Sequence, residues 1–325
     1  MEINFQNMGL ESEASYVPGS LSSKHPDKVL IKKENYEDRG YHEEHFTPAE
    51  RYLEAHLVPS LEEYRPSFKD FSYSKTEIER DQRQLQEKKN RLEKSYRRPK
   101  ILEAMMFEMQ QHNWFGEDVE IILTSEFDDY LRGTDLVLEY ERDGKVFRLA
   151  IDVSMCGGTE RDIAGKRENI REGIEEGRLT ALKYFQSERD STKKGAIYEI
   201  PKVIIGMTTE DMQELSKTLV QKLKQEKGSS QELSQSPAQI KLLREIKKQL
   251  EEETQYAKYY FRRNYRPYGQ RIIGQHTAIL EIIDSVLAEK ENDPSILKPP
   301  LRRMYRNLEE DWQGDIEYLR GKAAA

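Results

Sequence analysis

The chain has 325 residues, of which 36% are hydrophobic and 34% are charged, and its formal net charge is -8 at pH 7. Its single cysteine excludes an intramolecular disulfide framework and any zinc site that needs two cysteines, so we expect a reducing, cytoplasmic environment. No apolar stretch approaches the length that spans a bilayer, so no membrane partner is expected, and the acidic net charge excludes a protein that coats nucleic acid with its whole surface.

The N-terminal third of the chain has few apolar residues in a regular period. Residues 1–45 are polar and contain several turn-forming dipeptides, which is typical of a disordered arm. Residues 46–97 are predicted to form a helical extension, because Thr47-Pro48 combines a favoured N-cap with a proline at the first helical position. A second helix is predicted over Ser74 to Tyr96, and its many charged residues indicate a solvated spacer.

Residues 98–225 are predicted to form an α/β core. Pro99 opens a helix with apolar residues at helical spacing, and a strand, a hairpin, a long helix and a short buried strand follow. The predicted order is therefore αβββαβ, and its elements after the first helix are Asp118–Thr124, Thr134–Ser154, Thr159–Gln186 and Lys202–Met207. Residues 226–237 have the composition of a linker, and residues 238–325 are predicted to form a helical C-terminal region whose last helix begins at Leu301.

The hairpin is the most specific local signal in the core. The dipeptide Asp143-Gly144 lies between two β-rich runs and indicates a two-residue type I′ turn. If Arg142 pairs with Lys145, one face of the hairpin is wholly apolar, and on the other face Asp135 lies directly opposite Asp152. A shift of one residue would spoil both faces, so the pattern itself supports this register.

Two carboxylates that face each other across a hairpin repel, and the pair costs stability unless a cation or a shared proton relieves it. A hard divalent ion, Mg²⁺ or Mn²⁺, is the simplest relief, because it takes carboxylate oxygens as ligands and keeps water for chemistry. The alternative is a solvated edge of the sheet at which the two charges are tolerated. The spacing of Asp135 and Asp152 leaves both interpretations open.

A helix with Glu103, a strand that begins with Gly133-Thr134-Asp135 and a strand that contains Ile151-Asp152-Val153-Ser154 resemble the core of the PD-(D/E)XK nuclease superfamily. The resemblance covers about a third of the chain and implies that Glu103, Asp135 and Asp152 hold the metal ion and serve catalysis. The superfamily pattern places a lysine two positions after the last acid, where this chain has Ser154. Lys166 on the following helix is the candidate substitute, and an ordinary solvated lysine is the alternative.

The strings SEFDDYLRGTDLVLEY, LAIDVS, EEGRLTALKYF and PKVIIG also resemble a group of uncharacterised proteins from candidate-phyla bacteria, which supports a nuclease-like fold but implies no substrate. Together the resemblances imply a metal-dependent nuclease that acts on nucleic-acid phosphodiesters. The alternative is a non-catalytic protein that keeps the fold and binds a partner or nucleic acid. Asp128 and Asp129 precede the second strand and are candidate extra ligands, although a solvated loop is the preferred interpretation.

One basic segment makes nucleic acid a candidate partner. Residues 256–271 contain six aromatic and five basic residues and no acid. Bases can stack on such rings while arginines contact phosphates, and the candidate contacts are Arg262, Arg263, Arg266 and Arg271. In the alternative, which is preferred, the rings pack a helix onto the core and the arginines lie at the rim.

Overall fold

The fold consists of a four-stranded mixed sheet, a separate two-stranded hairpin and a series of helices. The structure is a computed structural model that describes residues 46–92, 97–156 and 160–296. The mixed α/β class is confirmed. The predicted arm over residues 1–45 and the predicted helix from Leu301 lie outside the described residues. None of the helices in these ranges is both long and apolar enough to cross a membrane.

The helices and strands are numbered in chain order. The helices are α1 (Pro48–Glu62), α2 (Lys75–Leu92), α3 (Arg97–Glu108), α4 (Glu126–Arg132), α5 (Glu160–Glu176), α6 (Thr209–Leu223), α7 (Ser229–Ser234), α8 (Ala238–Arg263) and α9 (Gly269–Asn292). The strands are β1 (Val119–Leu123), β2 (Leu136–Arg142), β3 (Lys145–Cys156), β4 (Thr180–Gln186), β5 (Lys194–Ile200) and β6 (Lys202–Thr208).

The first two helices begin close to where the sequence predicts them. The Thr47 hydroxyl accepts a hydrogen bond from the Glu50 N–H at 3.2 Å, and the Glu50 carboxylate accepts one from the Thr47 N–H at 2.7 Å, which completes a capping box. The interpretation of α2 as a solvated spacer is wrong, because Asp81 and Leu85 on this helix are buried. Asp81 accepts a hydrogen bond from the Tyr184 hydroxyl at 2.7 Å, so α2 is fixed to β4.

The main sheet has the order β1-β2-β3-β6. Strands β1, β2 and β3 are antiparallel neighbours, and β6 runs parallel to β3. The predicted hairpin register is confirmed from Arg142 opposite Lys145 to Leu136 opposite Ile151. Asp143 and Gly144 both have positive φ angles, 54° and 71°, as a type I′ turn requires.

Both faces of the hairpin are covered. The apolar face lies in the main core together with α3, α6, α8 and α9, and it contributes Leu136, Leu138, Tyr140, Leu149 and Ile151. Val137 and Ala150 on the other face pack against the separate β4–β5 hairpin through Leu182 and Phe185. Glu139 also lies on this second face, and it forms the predicted ion pair with Arg148.

Strand β4 takes the place of the last part of a predicted helix. The sequence pattern predicts one helix over Thr159–Gln186, but α5 ends at Glu176 and β4 follows. Gly177 has a φ of +73°, and a glycine in this conformation is a common helix terminator. The prediction failed because Leu182 and Phe185 also fit a helical spacing. In the fold they pack against the main sheet, and Tyr184 packs against Phe71 and Phe127.

The predicted linker is structured and fastens the C-terminal helices to the core. Residues 226–237 include α7, whose Leu233 is buried, and the Trp114 indole N–H donates to the Leu233 carbonyl at 3.0 Å. Gln249 on α8 bonds both backbone groups of Ile204 on β6, at 2.6 and 2.9 Å. The long helix α8 therefore provides hydrogen-bond partners for backbone groups on the unpaired edge of β6.

Candidate metal centre

Three buried carboxylates meet beside the start of β2. Glu103 belongs to α3, Asp129 belongs to α4, and Asp135 directly precedes β2; one oxygen of each lies within 4.8 Å of the others. Gly133 ends α4 with a φ of +61°, which turns the chain from the helix into the strand. This short connection places Asp135 next to Asp129, and α3 supplies Glu103 from another part of the chain.

The interpretation of Asp128 and Asp129 as part of a solvated loop is wrong, since both are buried on α4. The Asp128 carboxylate accepts hydrogen bonds from the N–H groups of Lys183 and Tyr184, at 2.7 and 2.9 Å, so this side chain ties α4 to β4. Its neighbour Asp129 contributes to the acidic group instead. The capping motif of Ser125 and Asp128, together with Gly133, is a signal that could have predicted the helix.

One buried cation, Arg65, and one partly buried cation, Lys100, offset part of the negative charge. The Arg65 guanidinium contacts Glu103, lies 3.6 Å from Asp129 and donates to the carbonyl of Thr124 at 2.7 Å. Lys100 donates to Glu103 at 2.9 Å and also contacts Asp129. With all five groups ionised, these three carboxylates and two cations carry a formal charge of about -1. Neither cation was predicted from the sequence to be part of the site.

Burial makes the ionised forms of Asp135 and Glu103 unfavourable, and nearby negative charges add to this effect. Burial, and then the charges of Asp129, Glu103 and Asp152, raise the pKa of Asp135 well above its ordinary value. Burial also raises the pKa of Glu103, although Arg65 and Lys100 favour its charged form. Burial alone would lower the pKa of Lys100, but the nearby carboxylates outweigh it and raise that pKa. The group therefore favours the uptake of a proton or of another cation.

Asp152 stands beside this group and has its own partners. Lys166 on α5 donates to Asp152 Oδ1 at 2.6 Å, and Nζ of Lys202 on β6 lies 3.3 Å from Asp152 Oδ2. The regular β2–β3 ladder ends at Leu136 and Ile151, because the Asp135 N–H donates to the Ile151 carbonyl at 2.9 Å. Asp135 and Asp152 are thus neighbours whose charges interact, but they do not form the ladder pair that the sequence predicts.

Lys202 is a component of the site that was not predicted from the sequence. Its amine also donates to the carbonyls of Arg132, at 3.2 Å, and of Gly133, at the C-terminal end of α4. A Cβ atom added to Gly133 would lie 3.3 Å from Asp152 Oδ2 and 3.4 Å from Lys202 Nζ. No local signal marks Lys202, because its place beside Asp152 depends on the parallel pairing of β3 and β6.

The residues present fit a small hard cation. Every candidate ligand atom is a carboxylate oxygen, and Mg²⁺ ligands at about 2.1 Å from the ion put opposite oxygens about 4.2 Å apart. The three oxygens already lie within 4.8 Å of one another, so small side-chain movements suffice. Glu103 is deeply buried, whereas the Lys166 side chain is 34% exposed, so the Asp152 end is the side that solvent reaches.

The basic aromatic segment has a buried part and an exposed part. Tyr256, Phe261 and Ile272 are buried against Ile174 of α5, so the rings pack as the preferred alternative predicts. Four of its five cations were the candidate phosphate contacts. All four are exposed: Arg262, Arg263, Arg266 and Arg271. Of these, Arg271 forms an ion pair with Glu199.

No protein-family model, no curated protein and no solved structure matches the chain.

Proposed function

We propose that the protein is a metal-dependent nuclease of the PD-(D/E)XK type, which hydrolyses nucleic-acid phosphodiesters with Mg²⁺ or Mn²⁺. The observation that supports this function most is the hydrogen bond of 2.6 Å from the Lys166 amine to Asp152, beside a crowded group of buried acids. Ser154 cannot supply the amine that the resemblance requires, and Lys166 supplies one from the next helix.

The order of the elements also supports the proposal. With α4, which lies between β1 and β2, set aside, helix α3, the antiparallel strands β1 to β3, helix α5 and the parallel strand β6 follow the αβββαβ order that the resemblance implies. The β4–β5 hairpin is inserted between α5 and β6. Glu103 on α3, Asp135 before β2 and Asp152 on β3 thereby come to the same end of the sheet.

Each side chain has a distinct role in this proposal. Asp135, Asp152 and Glu103 would hold the ion. Asp129, which is grouped with Glu103 and Asp135, joins them as a fourth candidate ligand, whereas Asp152 also contacts Lys166 and Lys202. When bound, the ion lowers the pKa of water and offsets charge on the phosphate. Lys166 is partly exposed, so its amine can donate to a phosphate oxygen or orient the attacking water while Asp152 keeps it in place.

A non-catalytic protein that keeps this fold is the second candidate. It is favoured by Arg65 and Lys100, which already offset much of the charge on Glu103 and Asp129. In that case the group is a buried ion-pair network that joins α3 and α4 to the segment after α1, and it needs no metal. The two candidates differ in whether the native protein binds a divalent ion.

Thermal melting with EDTA, Mg²⁺ or Mn²⁺ tests the metal site directly. An ion that binds only the folded state should raise the free energy of unfolding by about 2.7 kcal/mol at a hundred times its Kd. Asp135→Asn and Asp152→Asn should lose this gain, whereas Asp118→Asn, at an exposed acid before β1, should keep it. Wild-type melting that is unchanged by millimolar metal would exclude the ion and favour the second candidate.

Cleavage of labelled single- and double-stranded DNA and RNA tests the chemistry. Lys166→Met should lower the metal-dependent rate by about a hundredfold or more while the metal still raises the melting temperature. Lys217→Met, at an exposed lysine of α6, should cleave at the wild-type rate. Equal rates for the wild type and Lys166→Met would remove this lysine from the mechanism.

A further inference from the structure

The turn between α8 and α9 is held rigidly by aromatic side chains. The rings of Phe261 and Tyr268 meet edge to face with centroids 5.6 Å apart, and a Cβ on Gly269 would lie 2.6 Å from Phe261 Cγ. The Tyr268 hydroxyl donates to the Glu175 carbonyl at 2.9 Å, near the end of α5. The path of the turn is therefore fixed by packing and does not depend on a ligand.

This rigid turn presents cations and one aromatic ring to solvent. Arg262, Arg263 and Arg266 are exposed, and none of them has an ion-pair partner in the part of the chain that the structure describes. Tyr265 lies between them in sequence and is 87% exposed. Arg271 differs, because its guanidinium is bound to Glu199. We therefore leave Arg271 out of the surface and call the other four residues the turn patch.

The charge of the turn patch contrasts with that of the chain. The chain has a net charge of -8, yet residues 256–271 contain five cations and no acid. Glu175, a nearby acid, is already engaged by the Tyr256 hydroxyl. Guanidinium groups bind phosphates in a bidentate manner, and an exposed ring beside them can stack on a base. A base is available for stacking only where it is unpaired.

The turn patch is also connected to the acidic site through α5. Tyr268 packs against Gly177 directly after this helix, and Lys166 lies on the same helix about three turns earlier, a rise of about 16 Å. A few nucleotides of an extended strand can span that distance.

We propose that the turn patch binds single-stranded nucleic acid and holds it for the acidic site. This role rests on the proposed nuclease function, although the binding itself needs no cleavage.

Binding is measured by fluorescence anisotropy of the full chain in EDTA, with a labelled oligo-dT strand and with a labelled duplex. Tyr265→Ala should weaken oligo-dT binding by about tenfold and leave duplex binding nearly unchanged. The change Arg262→Gln with Arg263→Gln and Arg266→Gln should weaken binding and reduce the logarithmic salt slope by about 2. Melting temperatures should not change, because all four side chains are exposed.

Matched controls keep the result specific. Tyr64→Ala removes another exposed ring, and a triple change to Gln at Arg83, Arg91 and Arg142 removes three exposed arginines from α2 and β2. Both controls should bind oligo-dT as the wild type does. Equal losses in the controls and in the turn-patch variants, or no oligo-dT binding by the wild type at low salt, would overturn the proposal.

The outcome separates this inference from the proposed function. Cleavage with metal but no measurable role for the turn patch would contradict the binding surface and leave the nuclease standing. Specific oligo-dT binding by a protein with no metal response and no cleavage would support the turn patch and contradict the nuclease. Asp152→Asn should bind oligo-dT normally in EDTA, because it leaves the turn patch intact.

Discussion

Asp135 and Glu139 are buried acids on the same side of one hairpin, and their surroundings differ sharply. The Glu139 carboxylate is matched by donors: Arg148 Nε at 2.6 Å, the Ser187 hydroxyl at 2.8 Å and the Glu188 N–H at 3.1 Å. Asp135 accepts a hydrogen bond from the Val153 N–H at 2.6 Å, but the repulsion from Asp129, Glu103 and Asp152 outweighs the attraction of Lys100. The alternation of side chains along the strand places both residues on one face, but it does not predict the difference in their surroundings.

The difference comes from the elements that cover each end of the hairpin. The end of β4 brings a hydroxyl and backbone N–H groups to Glu139, so its charge is stabilised inside the protein. Helices α3 and α4 bring Glu103 and Asp129 to Asp135, so its charge is opposed. A satisfied buried acid holds the fold together, whereas a crowded one is suited to bind an ion or a proton.

The largest expected effect is the loss of the satisfied acid. Glu139→Ala leaves the Arg148 charge and several buried donors without a partner, so we expect the free energy of unfolding to fall by about 3 kcal/mol or more. Glu141→Ala, at an exposed position two residues further along β2, should change it by less than about 0.5 kcal/mol. Urea unfolding followed by circular dichroism measures both, and similar small changes would remove the contrast between the two acids.

A smaller effect should separate two neighbours on α4. Asp128→Asn replaces one acceptor oxygen by an NH₂ group that faces the N–H groups of Lys183 and Tyr184, so we expect a loss of about 2 kcal/mol. Asp129→Asn should cost less without metal, because Lys100 keeps Glu103 as a partner. The same urea titration compares them, and a larger loss for Asp129→Asn would mean that the acidic group is mainly structural.

The smallest expected effect is a gain in stability. Asp135→Asn removes an opposed charge and keeps an oxygen for the Val153 N–H, so in EDTA at neutral pH it should be more stable by on the order of 1 kcal/mol. The raised pKa of Asp135 means that the folded state holds its proton at a pH where the unfolded chain has lost it. Stability should therefore fall as pH rises from about 4, the ordinary pKa, to the raised pKa.

The difference between wild type and Asp135→Asn isolates this dependence from that of other acids. Urea titrations across this pH range should show the variant gaining on the wild type as pH rises, with no further gain above the folded pKa of Asp135. A variant that is less stable than the wild type at neutral pH would show that Asp135 is satisfied in the way that Glu139 is.

Local chemistry allowed the sequence to predict the hairpin and much of the candidate site. The Asp143-Gly144 turn and the alternation around it set the register, which is confirmed in the ladder and in the pair of Glu139 with Arg148. The capping residue Thr47 similarly marked the start of α1. These signals can be recognised in the sequence because the interacting residues are close in the chain or lie in one periodic element.

The partners of each candidate site residue were decided by tertiary structure. Glu103, Asp135, Asp152 and Lys166 were predicted from the sequence. In the fold, Asp129 lies with Glu103 and Asp135, whereas Asp152 contacts Lys166 and Lys202. Arg65 reaches Glu103 across 38 residues, and Lys202 reaches Gly133 across 69. Such contacts leave no periodic trace in the sequence, because they exist only once separate helices and strands have packed together.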